Sequence, residues 1–420
     1  MADGEEFEFM GPWLGPVGIV AGLPCVCYLL VLFCGPEGCL DLLPFKAPAM
    51  GQLGLSDGYS HAGLAVFMGW IGYVVLLHLL LPGRVVEGVQ LADGKRLKYK
   101  MNGFSILVLT LALVGYLGFY HSLLDLPWVH RNFLQVLTGA VGFSFALSLY
   151  LYASSFVKGK LLAAGGNTSV GFYNFFIGRE LNPRIGSLDL KEFFELYPGL
   201  IGWVVLDLCM AASQLQELGH ITNSMILVCA FHLIYVVDGL WYEPAILTTM
   251  DITADGFGFM LVFGDIAWVP FTYCLQARYL ADNPRDIPPV EIMAILLLKV
   301  LGYWIFRGAN GQKNMFRQDP THPSVSHLKT MPTERGTKLI ISGWWGIVRH
   351  INYTGDWLMG LAWCLPCGYQ HIIPYFYAIY FGVLLIHREM RDEHACREKY
   401  GKDWGKYCSI VKYRLVPFVY

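Results

Sequence analysis

The fold is decided by one uninterrupted apolar stretch, His61-Ala-Gly-Leu-Ala-Val-Phe-Met-Gly-Trp-Ile-Gly-Tyr-Val-Val-Leu-Leu-His-Leu-Leu-Leu-Pro82. It contains no Asp, Glu, Lys or Arg. A helix needs about 20 mostly apolar residues to cross a bilayer, so this stretch predicts a membrane span. The composition agrees, because 55% of the residues are apolar and only 15% are charged. Soluble domains carry about 25% charged residues.

Nine more stretches approach the same length and predict further spans. They are 13–34, 102–121, 132–157, 197–215, 220–240, 256–280, 289–306, 355–366 and 370–388. We therefore predict an all-α, polytopic integral membrane protein with about ten transmembrane helices, built as a single membrane domain over residues 1–420.

The Lys and Arg residues are distributed unequally between the loops, and this asymmetry predicts the orientation of the chain. With a cytoplasmic N-terminus, the predicted loops on that side are 83–101, 158–195 and 307–338. Together with the tail 388–420 they hold 24 Lys and Arg residues. The opposite loops hold only 3. Both termini are therefore predicted to be cytoplasmic.

The charge and the cysteine content argue against two other classes. A net charge of −2 does not provide a basic surface over the whole chain, so nucleic acid is not a predicted partner. Most of the 11 cysteines lie inside or beside predicted spans, so a disulfide framework is not expected. We predict no metal site.

Ionisable groups at membrane depth are costly, which makes each of them a functional candidate. On helical geometry, one side of the sixth span carries five polar or small residues within about 120° of arc. They are His232, Tyr235, Asp238, Gly239 and Tyr242. This pattern predicts a polar stripe that faces the interior of the bundle. The alternative is a hydrogen-bond network that only fixes helix packing.

The predicted cytoplasmic face carries the residues for a polar cofactor. Lys313 and Arg317 are four residues apart and share one face if that segment is helical. Asp392, Cys396 and Tyr400 are likewise spaced by four and share one face of a helix. Positive charge is also expected from the two later segments, at Arg349, His350, Arg388 and Arg391. Lys and Arg bind phosphate well, so we predict a phosphate-bearing cofactor here. Simple attraction to anionic lipid is the alternative for the basic residues.

Two long segments of the C-terminal part resemble the sterol reductase family. They are Leu339-Ile-Ile-Ser-Gly-Trp-Trp-Gly-Ile-Val-Arg-His-Ile-Asn-Tyr-Thr-Gly-Asp356 and His387-Arg-Glu-Met-Arg-Asp-Glu-His-Ala-Cys-Arg-Glu-Lys-Tyr-Gly-Lys-Asp-Trp404. Shorter motifs at 178–184, 247–252, 255–259 and 413–417 extend the resemblance over about residues 100–420. Ile351 departs from the family, which usually has proline there.

Within the family, the segment Gly308-Ala-Asn-Gly-Gln-Lys-Asn-Met-Phe-Arg317 and the pair Trp344-Trp345 look most like the delta(14)-sterol reductases. The resemblance implies an NADPH-dependent oxidoreductase of sterol biosynthesis that reduces the C14=C15 double bond. It also implies two parts of the membrane domain. Residues 1–250 form the N-terminal helices with the polar stripe on the sterol side, and residues 251–420 form the catalytic, NADPH-binding part. The host membrane is expected to be the endoplasmic reticulum in a eukaryote or the cytoplasmic membrane in a bacterium.

The resemblance also implies which residues contact NADPH, when the family's cofactor-binding positions are transferred to the matching positions of these motifs. These are Lys313, Arg317, Ile340, Trp345, Asn352, Tyr353, Asp392, Cys396, Tyr400 and Tyr407. The remaining expected partners are a sterol and membrane lipid.

The implied reduction acts on an unactivated double bond, so protonation must precede or accompany hydride transfer. A general acid kept protonated by apolar surroundings is then required. The candidates are Tyr235, Asp238 and Glu243 at the sixth span, and Asp392 near the cofactor; Tyr235 is our first choice. Trp241 and Tyr242 are expected to stabilise a cation through their ring faces.

Three alternatives remain at this stage. One is reduction of another sterol double bond, delta(7) or delta(24). The second is an isoprenylcysteine-methyltransferase-like enzyme that uses S-adenosylmethionine, because its C-terminal motif resembles this one. The third is a transporter or a structural sterol-binding protein, although no repeated halves are visible in the sequence.

Overall fold

The structure, a computed structural model, describes residues 10–35, 38–41, 58–91 and 94–420. The chain divides into two compact units, Met1–Arg285 and Asp286–Tyr420. The functional division after residue 250 that the resemblance implies stays a prediction. Residues 251–285 fall in the first unit because their helices pack against helix Pro198–Leu218 of that unit.

Helices dominate both units. The first unit contains α1 Leu14–Leu32, α2 His61–Leu80, α3 Gly103–Leu113, α4 Leu126–Arg131, α5 Phe133–Ser154, α6 Gly171–Ile177, α7 Leu190–Leu196, α8 Pro198–Leu218, α9 Asn223–Trp241, α10 Met250–Thr253, α11 Phe259–Phe263, α12 Val269–Tyr273 and α13 Leu275–Asp282. The second contains α14 Pro289–Gln318, α15 Ile351–Cys364, α16 Phe376–Tyr400 and α17 Lys402–Ile410.

Strands occur only as small antiparallel hairpins in the described part of the chain. In the first unit, β1 Cys34–Gly35 pairs with β2 Gly38–Cys39, β3 Arg84–Gln90 with β4 Arg96–Met101, and β5 Arg184–Ile185 with β6 Leu188–Asp189. In the second unit, β7 Thr330–Pro332 pairs with β8 Lys338–Ile340. The hairpin β3–β4 lies where the sequence analysis had expected only a loop.

Eight helical segments among the described residues are long and apolar enough to cross a membrane. They are Leu14–Leu32, His61–Leu80, Gly103–Tyr120, Phe133–Ser154, Leu190–Leu218, Asn223–Trp241, Phe259–Asp282 and Pro289–Gln318. The all-α, multi-pass membrane fold predicted from the sequence is thus confirmed.

The last two predicted spans correspond to α15 and α16. Helix α15 has only 14 residues, and α16 is polar from His387 onward. The total of ten spans and the side of the membrane on which each terminus lies stay predictions.

One difference from the sequence analysis is a disulfide between Cys34 and Cys39. These cysteines are directly opposite each other in the hairpin β1–β2, which brings them within bonding distance. The guanidinium of Arg278 donates from Nη1 to the carbonyl oxygen of Cys34 at 2.5 Å. The hairpin is therefore held to α13 as well as to itself.

Three chain segments meet at glycines in the first unit. Gly178 has φ +98°, and the backbones of Gly256 and Gly258 lie against it. A Cβ atom on Gly256 would be 1.8 Å from the Gly178 carbonyl oxygen. This crossing has no room for a side chain, which explains the Gly-x-Gly spacing in a segment that is not a dinucleotide motif.

The segment that follows α9 is irregular, as Pro244 predicts. It forms a 3₁₀ helix over Glu243–Thr248 and then the short helix α10. The ammonium of buried Lys191 donates to the carbonyl oxygens of Asp251 and of Asp255, the latter at 2.7 Å, and the Ile252 carbonyl lies 3.4 Å away. These bonds satisfy backbone carbonyls that end a helix of only four residues.

Candidate cofactor site

The site in the second unit begins on α14. The sequence analysis placed 307–338 in a loop, but helix α14 continues unbroken to Gln318, so that part of the prediction is wrong. Residues 307–318 contain no proline, and the helix ends only before Asp319-Pro320. Lys313 and Arg317 therefore share a helical face, as their spacing requires.

Lys313 lies over an aromatic ring supplied by the short 3₁₀ helix Gly343–Gly346. Its Nζ atom is 4.3 Å from the centre of the Trp345 ring, within cation–π range. The Trp345 indole donates to the Ala309 carbonyl oxygen at 2.9 Å, which fixes the ring against α14. Ile340 and Trp345 are both buried in the same apolar cluster.

A second group of side chains joins α15 to α16. The Tyr353 hydroxyl donates to Asp392 Oδ2 at 2.8 Å. The His350 ring stacks on Tyr353, with centroids 5.1 Å apart and planes 15° apart. Its Nδ1 atom lies 3.8 Å from the same Asp392 oxygen. Asp392 is therefore the point at which these two helices are linked by polar contacts.

Electrostatic interactions connect the two groups. The ammonium of Lys313 interacts with Arg317, Asp392 and Cys396. Cys396 and Tyr400 pack against the cluster formed by Trp404, Tyr407 and Val411, in which Tyr407 is buried. The two sets predicted from spacing, one on α14 and one on α16, are thus brought together, while Arg317 is exposed.

The positive charge expected from His350 is not present at neutral pH. The pKa of this imidazole is lowered to about 4, chiefly by burial and to a smaller extent by neighbouring Lys313 and Arg349, against the opposing effect of Asp392 and Glu393. The prediction of a cationic His350 is therefore wrong, because a desolvated imidazole favours its neutral form. The Arg349 guanidinium lies 3.9 Å from Glu393 Oε2.

Two buried polar atoms of the site have no hydrogen-bond partner among the described residues. They are His350 Nε2 and Asn352 Oδ1. Buried polar groups are nearly always hydrogen-bonded, so such atoms mark a place for a ligand with donors and acceptors. Together with a cation, an indole and a phenol, they fit a nucleotide cofactor of the kind the sequence analysis predicted.

An apolar groove of about 360 Å³ begins at this site. Tyr353 and Thr354 line one end, and the remaining lining residues are hydrophobic or glycine. They are Trp357, Ala378, Ile379, Gly382, Val383, Leu385, Ile386, Leu415 and Val416. The Thr354 hydroxyl is already bonded to the Leu415 carbonyl oxygen, so the groove suits an apolar molecule.

The other predicted catalytic residues lie in the first unit, on or after α9. The polar stripe faces inward only in part: His232 is buried and its Nδ1 lies 2.8 Å from Asp207 Oδ2. Tyr235 and Asp238 are half-buried, and the Tyr235 ring is 6.0 Å from that of Trp203.

The last turn of α9 departs from the predicted stripe. Gly239 and Tyr242 are exposed, so the prediction that they face the interior is wrong. Trp241 is exposed as well. The helix ends at Trp241, and the chain then turns so that the next residue, Glu243, points inward instead. The two aromatic rings proposed to stabilise a cation are thus both exposed at the end of α9.

A family model described as "Ergosterol biosynthesis ERG4/ERG24 family" matches residues 4–420. The chain belongs to this family. It is 48% identical to the delta(14)-sterol reductase erg24 of Schizosaccharomyces pombe over 99% of this chain and 97% of that protein. It is 49% identical to the delta(14)-sterol reductase TM7SF2 of Mus musculus over 100% and 99% of the two chains. The delta(14)-sterol reductase LBR of Gallus gallus is 48% identical over 97% of this chain and 63% of its own length.

Membership of the ERG4/ERG24 family confirms the resemblance that the motifs indicated. The sequence analysis counted His350 only as a charge and missed its contacts. The signal was present, because His350 and Tyr353 are three residues apart at the start of a helix and so fall on one face.

Proposed function

We propose that this chain is an NADPH-dependent delta(14)-sterol reductase, an oxidoreductase that acts on a CH–CH bond. Relatives named delta(14)-sterol reductase align with almost the whole chain at 48–49% identity, and this similarity carries the proposal. The proposed location is the endoplasmic reticulum membrane in a eukaryotic host or the cytoplasmic membrane in a bacterial one.

The site of the second unit supports NADPH as the cofactor. We propose that Lys313, Arg317 and Asn352 bind its polar groups, and that Trp345, Tyr353, Tyr400 and Tyr407 provide ring contacts, with Ile340, Asp392 and Cys396 completing the site. NADPH supplies a hydride when it is bound. The uncharged His350 adds a nitrogen without a partner among the described residues, which is suited to a hydrogen bond rather than an ion pair.

We propose that the apolar groove beside Tyr353 receives the sterol. Its hydrophobic lining matches a substrate that is almost entirely hydrocarbon. The chain must also supply a proton to the double bond. Tyr235, Asp238, Glu243 and Asp392 remain the proposed donors, and Asp392 already shares a hydrogen bond with the Tyr353 hydroxyl.

A product assay tests the function directly. Purified protein in lipid nanodiscs would receive NADPH and, separately, delta(14)-, delta(7)- and delta(24)-unsaturated sterols, and the products would be identified by mass spectrometry. We expect a mass gain of two hydrogens only with the delta(14) substrate. Parallel binding titrations with NADH and S-adenosylmethionine distinguish an NADPH-dependent enzyme from one that uses another cofactor. Binding of S-adenosylmethionine alone would contradict the proposal.

The variant Tyr235→Phe tests the first-choice proton donor. We expect it to bind NADPH as the wild type does while turnover falls by about 100-fold, the lower range for loss of a general acid. Fluorescence titration measures binding, and product formation measures turnover. The matched control is Tyr242→Phe, which removes the hydroxyl of an exposed tyrosine about two helical turns further along the chain. Unchanged turnover in Tyr235→Phe would eliminate this residue as the donor.

A further inference from the structure

Two glutamates and a tyrosine of the first unit form a chain of contacts. The Tyr197 hydroxyl lies 2.7 Å from Glu192 Oε1 and in still closer contact with Glu243 Oε1. All three side chains are buried. The Lys100 carbonyl oxygen is a third neighbour of this hydroxyl, at 3.2 Å.

The number of protons required by this arrangement can be counted. A phenol has one proton to donate, while ionised carboxylates and carbonyl oxygens can only accept. Three oxygens therefore surround a single donor if both glutamates are ionised. One carboxyl group must carry a proton and donate it to the Tyr197 oxygen, because two bare carboxylates would repel each other across the shared hydroxyl.

The surrounding bonds indicate which glutamate carries the proton. Both carboxylate oxygens of Glu243 accept from the backbone N–H of Gly103, at 3.2 and 3.3 Å. Gly103 is the first residue of α3, and the N-terminus of a helix favours a negative charge. Glu243 is therefore the acceptor in the chain. Glu192 Oε1 is the remaining partner of Tyr197 and is the atom placed to donate.

The charged groups around Glu192 do not offer it a counter-ion. Arg184 acts on it electrostatically, but the Nε atom of Arg184 is already paired with Asp189 Oδ2 at 3.0 Å. Lys100 donates to the His78 and Leu79 carbonyl oxygens, and Lys191 to those of residues 251–255. The His78 ring lies 5.1 Å from the Tyr197 ring. Burial also raises the pKa of Glu243. The two glutamates, Glu192 and Glu243, therefore together resist losing the proton that they share.

We propose that Glu192, Tyr197 and Glu243 form a proton-dependent clasp, in which neutral Glu192 donates to Tyr197 and Tyr197 donates to the Glu243 carboxylate at the start of α3. The clasp joins α7, α8, the end of α9 and the start of α3. When alkaline pH removes the proton, two carboxylates face one hydroxyl and the clasp opens. The clasp concerns the fold and does not rest on the proposed reaction. It implies that Glu243, as an ionised acceptor, is the least suited of the four proposed proton donors.

The test combines infrared spectroscopy with thermal unfolding of the full chain in nanodiscs. We expect the wild-type spectrum minus that of Glu192→Gln to contain the C=O stretch of a protonated carboxylic acid. This band should disappear at alkaline pH, together with a downward shift of the wild-type melting temperature. Glu192→Gln should keep its melting temperature at alkaline pH, because the amide donates to Tyr197 without titrating.

Two further variants keep the test decisive. Tyr197→Phe should unfold at neutral pH near the temperature at which the wild type unfolds at alkaline pH. Raising the pH should not lower the melting temperature of this variant further. Glu217→Gln, which changes an exposed glutamate of α8, should leave the band and the step unchanged. The clasp is refuted if the difference band is absent, or if the alkaline step persists in both Glu192→Gln and Tyr197→Phe.

Discussion

Replacing Asp392 with asparagine is expected to lower turnover about 100-fold, the scale on which acid–base groups contribute to catalysis. Asp392 accepts a hydrogen bond from the Tyr353 hydroxyl at 2.8 Å and interacts electrostatically with Lys313. One carboxylate on α16 therefore contacts a residue of α15 and acts on a residue of α14. Asparagine can keep the hydrogen bond but not the charge. Steady-state product formation at saturating sterol measures the loss, and NADPH titration shows how much of it comes from binding.

The matched control is Glu398→Gln on the same helix. Glu398 is exposed and pairs only with His394 among the described contacts, at 3.3 Å. The substitution Glu398→Gln removes one carboxylate from α16 without changing the contacts of Tyr353 or Lys313. We expect turnover within about twofold of wild type, because exposed ion pairs contribute little. Equal losses in the two variants would mean that helix charge, rather than the Asp392 contacts, controls activity.

Gly256→Ala is expected to prevent the first unit from folding stably. The new Cβ atom would lie 1.8 Å from the Gly178 carbonyl oxygen and 2.4 Å from its carbon, and both are backbone atoms. Overpacked cores lose about 1–3 kcal/mol when side chains can move, so a backbone clash should cost at least the upper value. We expect the monodisperse peak in size-exclusion chromatography to be lost. Gly178 cannot yield, because its own φ of +98° already requires glycine.

The control for this clash is Gly165→Ala, close in sequence to the same crossing. No atom lies within 4 Å of a Cβ built on Gly165, and the residue is exposed. We expect wild-type yield and elution, because alanine also lowers the entropy of the unfolded chain. A normally folded Gly256→Ala protein would show that the segments 178 and 256–258 can separate.

The membrane spans could be predicted because they depend on local composition alone. The segment His61–Pro82 specifies a span within its own 22 residues, and the structure places a helix at His61–Leu80. The end of α14 could not be predicted in the same way. Seven of its last twelve residues are polar and two are glycine, a composition equally typical of a loop until packing against residues such as Trp344 and Trp345 is known.

The candidate site was predictable where its residues share one helix. Asp392, Cys396 and Tyr400 repeat every four residues, so their common face follows from helical geometry. The bond from Gly103 to Glu243 joins positions 140 apart and has no local signal. The disulfide Cys34–Cys39 was missed for another reason, because the count of apolar residues placed Cys34 inside a span rather than in a hairpin.

The bonding of Lys191 has a consequence for how the 251–255 segment responds to its surroundings. Loops that gather several carbonyl oxygens commonly do so around a metal ion taken from solution. Here the cation is covalently part of the chain, so it cannot be removed by a chelator or exchanged with potassium or calcium. These carbonyl oxygens are therefore held by a side chain of the protein itself, without an ion from solution.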